Sequence, residues 1–193
     1  MTQLKTVCLI LFILFSVPSI ASNGGIADAS KTRQFTALLS DYRQGAERGD
    51  SAAQYALGEI YARGEGVPKN HDQALKWYRK AAEQDHVGSQ YMLGMIYTLG
   101  LLGHRDYVEA VKWLRKAADQ GHGKAQLMLG KMYAHGVGVS TDYVQAYKWL
   151  NLASVAAMKG AAEAHELVAL TMTSDQLKLA EQLSQTWWAE HVE

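Results

Sequence analysis

Seven histidines and a full complement of carboxylates are the residues of this 193-residue chain that could do chemistry, and their spacing decides whether they do. His71, His86, His104, His122, His135, His165 and His191 never stand three to five residues apart, so the local pairs with which helices hold zinc are missing. His165-Glu166 is not followed by a second histidine. The chain has no G-x-S-x-G elbow, no S-x-x-K pair and no phosphate-cradling P-loop. The pattern therefore implies no catalytic residue, no cofactor and no metal. Two histidines, His86 and His122, recur at a fixed spacing and read as surface turn residues rather than ligands.

That spacing is the organising feature of the chain. Gly58, Gly94 and Gly130 lie 36 residues apart, as do Tyr61, Tyr97 and Tyr133, Gly64, Gly100 and Gly136, and Trp77, Trp113 and Trp149. Each unit reads as two helices. The first, over about Ser51 to Arg63, places Ala53, Leu57, Ile60 and Tyr61 on one face and stops at Gly64. The second opens at Asn70, and Asn70 with Gln73, Asp106 with Glu109 and Asp142 with Gln145 have the form of a capping box. Ala74, Trp77, Tyr78 and Ala81 form its predicted buried stripe. A glycine inside a helix costs roughly 1 kcal/mol relative to alanine, so Gly58, Gly94 and Gly130 predict a close approach of the paired helix at Ala81, Ala117 and Ala153, with the tryptophan filling the adjacent gap.

The run A-Q-Y-x-L-G-x-x-Y-x-x-G-x-G-V followed by A-x-K-W-Y-x-K-A-A resembles the Sel1-like repeat family, which is similar to tetratricopeptide repeats. The resemblance implies an all-α fold, an αα-hairpin repeat solenoid wound as a right-handed superhelix, and a role in protein-protein interaction. Full units fall at about 49–84, 85–120 and 121–156, with a partial unit and cap over 157–193. The second unit departs from the pattern, having Gly100-Leu101-Leu102-Gly103 where G-x-G-V is expected.

Before the repeats, Met1 to Ala21 combines one charge at Lys5, an apolar run from Val7 to Val17 and small residues at Ser19 and Ala21, which reads as a secretory signal peptide cleaved after Ala21. The run is too short for a membrane anchor. Cleavage would remove the sole cysteine, Cys8, and one of 19 basic residues against 19 acidic ones, leaving a chain with no thiol and a formal charge of −1. Near-neutrality argues against nucleic acid as a partner. Ser22 to Gln34 reads as a flexible leader, and Phe35, Leu38, Leu39 and Tyr42 as the stripe of an N-terminal capping helix. At the other end Leu177, Ala180, Leu183 and Trp187 share the face of a closing helix that covers the exposed end of the stack.

One surface is left over from core packing. On the first helices Glu59, Met95 and Lys131 are equivalents, as are Arg63, Leu99 and His135, and Ala56, Met92 and Met128. In a superhelix these helices line the concave side, so Met92, Met95, Leu99 and Met128 form an apolar strip flanked by Glu59, Arg63, Lys131 and His135, the expected binding surface for a partner protein or peptide. Lys76, Arg79, Lys80, Lys112, Arg115 and Lys116 are expected on a solvated convex face. The leading functional reading is a non-catalytic scaffold or regulator in the bacterial periplasm. The alternatives are a β-lactam-binding or hydrolysing protein, as described for cysteine-rich members of the resembled family, and a secreted host-directed effector.

Overall fold

The computed structural model describes residues 25–101 and 104–191. The expected signal peptide lies outside the described residues, as do Leu102 and Gly103 of the atypical turn. Nine α-helices and no strands occur among the described residues: α1 (Gly25–Glu47), α2 (Ser51–Arg63), α3 (His71–Ala82), α4 (Val87–Leu99), α5 (Tyr107–Asp119), α6 (Gly123–His135), α7 (Tyr143–Val155), α8 (Ala161–Ala169) and α9 (Ser174–His191). The described residues fall into two compact units that divide between Thr36 and Ala37, and the second is described below. Residues 25–34, expected as a flexible leader, belong instead to α1. Once a helix is nucleated, each further residue gains one hydrogen bond, and Ala27, Ala29, Lys31, Arg33 and Gln34 are tolerant of helix.

Helices α2/α3, α4/α5 and α6/α7 pair as hairpins and stack in chain order as a helical-repeat solenoid, with α8 and α9 both packed on α7. The first helices bury most of the predicted stripe, with Leu57, Leu93 and Leu129 fully inaccessible, while Tyr61 and Tyr97 are half-buried. The second helices differ from expectation at one position. Tyr78, Leu114 and Leu150 are the buried anchors, whereas Trp77 and Trp113 are half-buried and only Trp149, in the cluster that also holds Trp187 and Ala180 of α9, is fully covered. The helical glycines face those anchors rather than the alanines. A Cβ at Gly58 would sit 2.5 Å from the Tyr78 ring, one at Gly94 2.5 Å from Leu114 Cγ and one at Gly130 2.7 Å from Leu150 Cγ. Gly58, Gly94 and Gly130 are thus sockets for the residue after each tryptophan.

The helix ends follow the sequence with one change of partner. Asn70, Asp106 and Asp142 accept from the backbone of Gln73, Glu109 and Gln145 at 3.0, 2.9 and 3.0 Å. Their own N–H groups donate across the hairpin to the carbonyls of Tyr61, Tyr97 and Tyr133, at 2.9, 3.0 and 3.1 Å, and these bonds replace the return half of the box. Thr173 and Gln176, before α9, do form the reciprocal pair. The final helix buries Ala180 and Trp187 and half-buries Leu177 and Leu183, as expected of a cap.

Two polar ladders hold unit to unit. Gln54, Gln90 and Gln126 are buried, and each side-chain amide donates to a carbonyl of the preceding helix, Ala46, Ala82 and Ala118, at 3.1, 3.3 and 3.2 Å. Gln84 and Gln120 then donate to the side-chain oxygens of Gln54 and Gln90 at 2.7 and 2.8 Å. On the outer side, Arg43, Arg79 and Arg115 donate to the hydroxyls of Tyr61, Tyr97 and Tyr133. Arg79 and Arg115 are therefore ties between units and not members of a free basic face. Lys80 and Lys116 lie over the rings of Trp77 and Trp113, 4.9 and 5.1 Å from the centroids. Because removing one partner strands a buried donor or acceptor, Gln90→Leu is expected to lower stability by about 2 kcal/mol despite its similar volume. Urea unfolding reads this, and a loss under about 0.5 kcal/mol would show the ladder to be a bystander.

Candidate functional site

A groove of about 560 Å³ runs across the first helices of all three units, lined by Tyr55, Glu59, Ala62 and Arg63 of α2, Gly88, Tyr91 and Met92 of α4, Gly123 and Lys124 of α6, and by Tyr78, His122 and Met158. Its α2 end is polar and ordered. Glu59 Oε1 accepts from the Tyr78 hydroxyl at 2.5 Å, while Arg63 pairs with Glu59 and lies 3.5 Å from Glu65. Burial, followed by the bond to Glu59, pushes the Tyr78 hydroxyl well above its ordinary range, so it stays protonated and donates. The first unit alone has tyrosine at this anchor position, and that tyrosine carries the hydrogen bond from the core to the groove wall.

The wall between units is built from ring pairs. Tyr55 stacks on His86, with centroids 4.7 Å apart, and Tyr91 stacks on His122 at 4.5 Å. In the next unit the same places hold Leu127 and Met158. His86 and His122, expected as surface turn residues, are instead half-buried caps of α4 and α6: Nδ1 accepts from the backbone N–H of Ser89 and of Ala125, each at 3.2 Å. The neutral ring is needed for that bond, and burial holds both imidazoles below their ordinary range. At the far end Lys124 is exposed, with no carboxylate in ion-pair reach among the described residues. A second, more apolar cavity of about 320 Å³, lined by Ala74, Ile96 and Leu101 among others, shares Ala62, Tyr78 and Met92 with the groove.

Of the residues read from sequence as a binding strip, Glu59, Arg63 and Met92 line this groove. Met95 and Met128 are half-buried, Leu99, Lys131 and His135 are exposed, and these five lie outside the groove lining. Tyr55, Tyr91, Lys124 and Met158 carry no mark of their own in the sequence, and His122 reads there only as a turn residue. Tyr55 and Tyr91 repeat at the unit spacing together with His86 and His122, and that double recurrence was the available signal. Among the described residues no group of His, Cys, Asp and Glu could hold a metal ion, and no helix is long and apolar enough to cross a membrane.

Stacked αα-hairpins joined by repeating polar ties, with a groove across their first helices, define a solenoid repeat protein. The Sel1 repeat matches three consecutive segments, residues 51–86, 87–122 and 123–154, more than half of the chain, and the protein belongs to the Sel1 repeat family. Members of this family serve in general as scaffolds for protein-protein interaction. Among solved structures, a Sel1 repeat protein from Oxalobacter formigenes is similar at 34% identity and a TM-score of 0.63, covering 66% of this chain and 96% of its own. A protective antigen of uropathogenic Escherichia coli displaying an SLR fold is 36% identical over 79% of this chain and 41% of its own, with a TM-score of 0.47. The cysteine rich protein B of Helicobacter pylori shares the fold at 20% identity, with a TM-score of 0.51 over 65% of this chain and 95% of its own. No curated protein matches the chain in sequence.

Proposed function

We propose that this chain is a non-catalytic scaffold or regulator of the bacterial periplasm that takes a segment of a partner protein, or a peptide, into the groove across α2, α4 and α6. The observation that carries the reading is the groove itself, which spans three units and offers aromatic walls at Tyr55 and Tyr91, adaptable methionines at Met92 and Met158, and an exposed cation at Lys124. Export is supported by the signal-peptide pattern of residues 1–21. The apolar strip through Met95 and Leu99 extends the surface beyond the groove. The β-lactam alternative is not favoured, since it came from cysteine-rich relatives and this chain has a single cysteine, Cys8.

Site-specific photo-crosslinking in cells tests the surface. A crosslinker at Lys124 or Lys131 should trap a discrete partner, and one at Lys112 on the outer side should not. Lys124→Glu with Met158→Glu should abolish the Lys131 adduct while leaving the helical signal intact, because charge placed against a partner's apolar anchors costs several kcal/mol, on the order of a hundredfold or more in affinity. Adducts unchanged by that pair but lost in Met95→Glu with Leu99→Arg would move the site from the groove to the strip, and adducts from Lys112 alone would move it to the convex face.

A further inference from the structure

Four residues at the unit spacing, Asp50, His86, His122 and Met158, occupy the junctions along the solenoid. Asp50 caps α2 through its carboxylate, accepting from Ala52 and Ala53 at 2.9 and 3.2 Å. Met158 offers no such oxygen or nitrogen, and α8 starts without a side-chain cap. The two central junctions are different in kind, because their caps are imidazoles accepting through Nδ1. An imidazole accepts there only while it is neutral with its proton on Nε2. Adding a proton turns Nδ1 into a donor that no longer accepts from the backbone N–H of Ser89 or Ala125; at His86 the Ser89 hydroxyl, 3.1 Å away, is then an acceptor in reach, but the backbone cap is lost there too. The added proton also places a positive charge at the end of a helix where the macrodipole is positive. An imidazolium would gain from the tyrosine face beneath it, but burial, the lost cap and the dipole oppose it together.

We propose that His86 and His122 are a proton-operated latch at the two central junctions, holding the first turns of α4 and α6 and the groove wall when neutral and releasing them when protonated. The inference rests on the caps and ring stacks and needs no partner, so it stands whether or not the groove is the binding surface. The groups facing the two rings differ. His86 meets Tyr55 of α2 and Ser89 of α4, and its charged neighbour is Asp50, which favours the proton. His122 meets Tyr91 of α4, and its charged neighbour is Lys124, which opposes it. Both folded-state imidazoles lie below the unfolded value of 6.5, so their contribution to stability is complete above that value and drains away as pH falls through the folded values.

Gly88 and Gly123, in the first turns behind these caps, line the groove with His122, and release of those turns would widen it at both places. Amide hydrogen exchange of the full chain, at about pH 7.5 and about pH 5 on either side of the imidazole range, is the direct test. Protection factors at Ser89 and Ala125 should fall about fivefold or more at the lower pH, the size of a lost cap, while Gln73, behind the non-titrating cap Asn70, should hold. The double variant His86→Asn and His122→Asn replaces each imidazole with a cap that does not titrate, and it should show no such fall at residues 89 and 125. Unchanged protection at Ser89 and Ala125 in the natural chain would overturn the proposal, and so would a double variant that keeps the natural pH response. If the variant does not fold, the exchange of the natural chain decides alone.

Discussion

Gly138→Ala should destabilise the repeat domain by about 3 kcal/mol, while Gly160→Ala should cost only about 1 kcal/mol. Both glycines hold the left-handed conformation, with φ of 68° and 78°, so alanine meets the same backbone penalty at each. Their surroundings differ. A Cβ at Gly160 has nothing within 4 Å, whereas one at Gly138 overlaps the carbonyl group of Tyr107, the first residue of α5. Backbone cannot rotate aside as a side chain can, so the turn after α6 would have to lift from the preceding unit, pulling Val137 and Val139 off the core they pack against. Denaturant unfolding of the two variants measures the difference, and equal losses would mean that the turn of the third unit is not pressed on the second.

The second large effect is Leu114→Ala, expected to cost about 3 to 4 kcal/mol, against about 1.5 kcal/mol for Trp113→Ala. Leu114 is fully buried and fills the socket at Gly94, so its removal leaves a cavity in the middle of the stack. Trp113 is larger but half-buried, with Lys116 over its ring and an indole N–H that is enclosed without a hydrogen-bond partner. Truncation there removes apolar contact and an unsatisfied donor together, and the two partly offset. Matching losses in a denaturation series would return the tryptophan to the centre of the core.

Tryptophan draws the eye in a sequence because it is rare and repeats in register, yet burial is decided by the angle at which two helices meet, which spacing does not encode. The next residue in the chain, Tyr78, Leu114 or Leu150, is on the inner side. Helix starts and stops were legible because they depend on local chemistry: Asn70, Asp106 and Asp142 cap where expected, and Gly64, Gly100 and Gly136 end the first helices with φ near 70°. The helical reach of α1 back to Gly25 was not legible, since Ser and Gly in that segment read equally as loop. At the groove, Glu59 and Arg63 could be found because their positions change between charged or polar and apolar from unit to unit, and Met92 because its equivalents are Ala56 and Met128, while the buried anchors stay apolar or aromatic. Tyr55, Tyr91 and His122 were hidden by the reverse property. They repeat, and a repeating aromatic looks like core until the ring beside it is seen.

The glutamine ladder bears on how such a chain can lengthen. Every internal unit presents the same two faces, a glutamine that donates backward and a carbonyl that receives from the unit ahead, while a second glutamine at the end of the unit donates to the first one's side-chain oxygen and holds it in place. A copy of residues 87–122 inserted in frame would meet its neighbours through bonds of the kind already there, so duplication needs no matching change elsewhere. Growth stops where the code stops. The place of Gln84 and Gln120 is taken after the third unit by Ala156, which has nothing to donate, and beyond it the chain turns to α8 and α9, whose contacts with α7 are unlike those between the repeats.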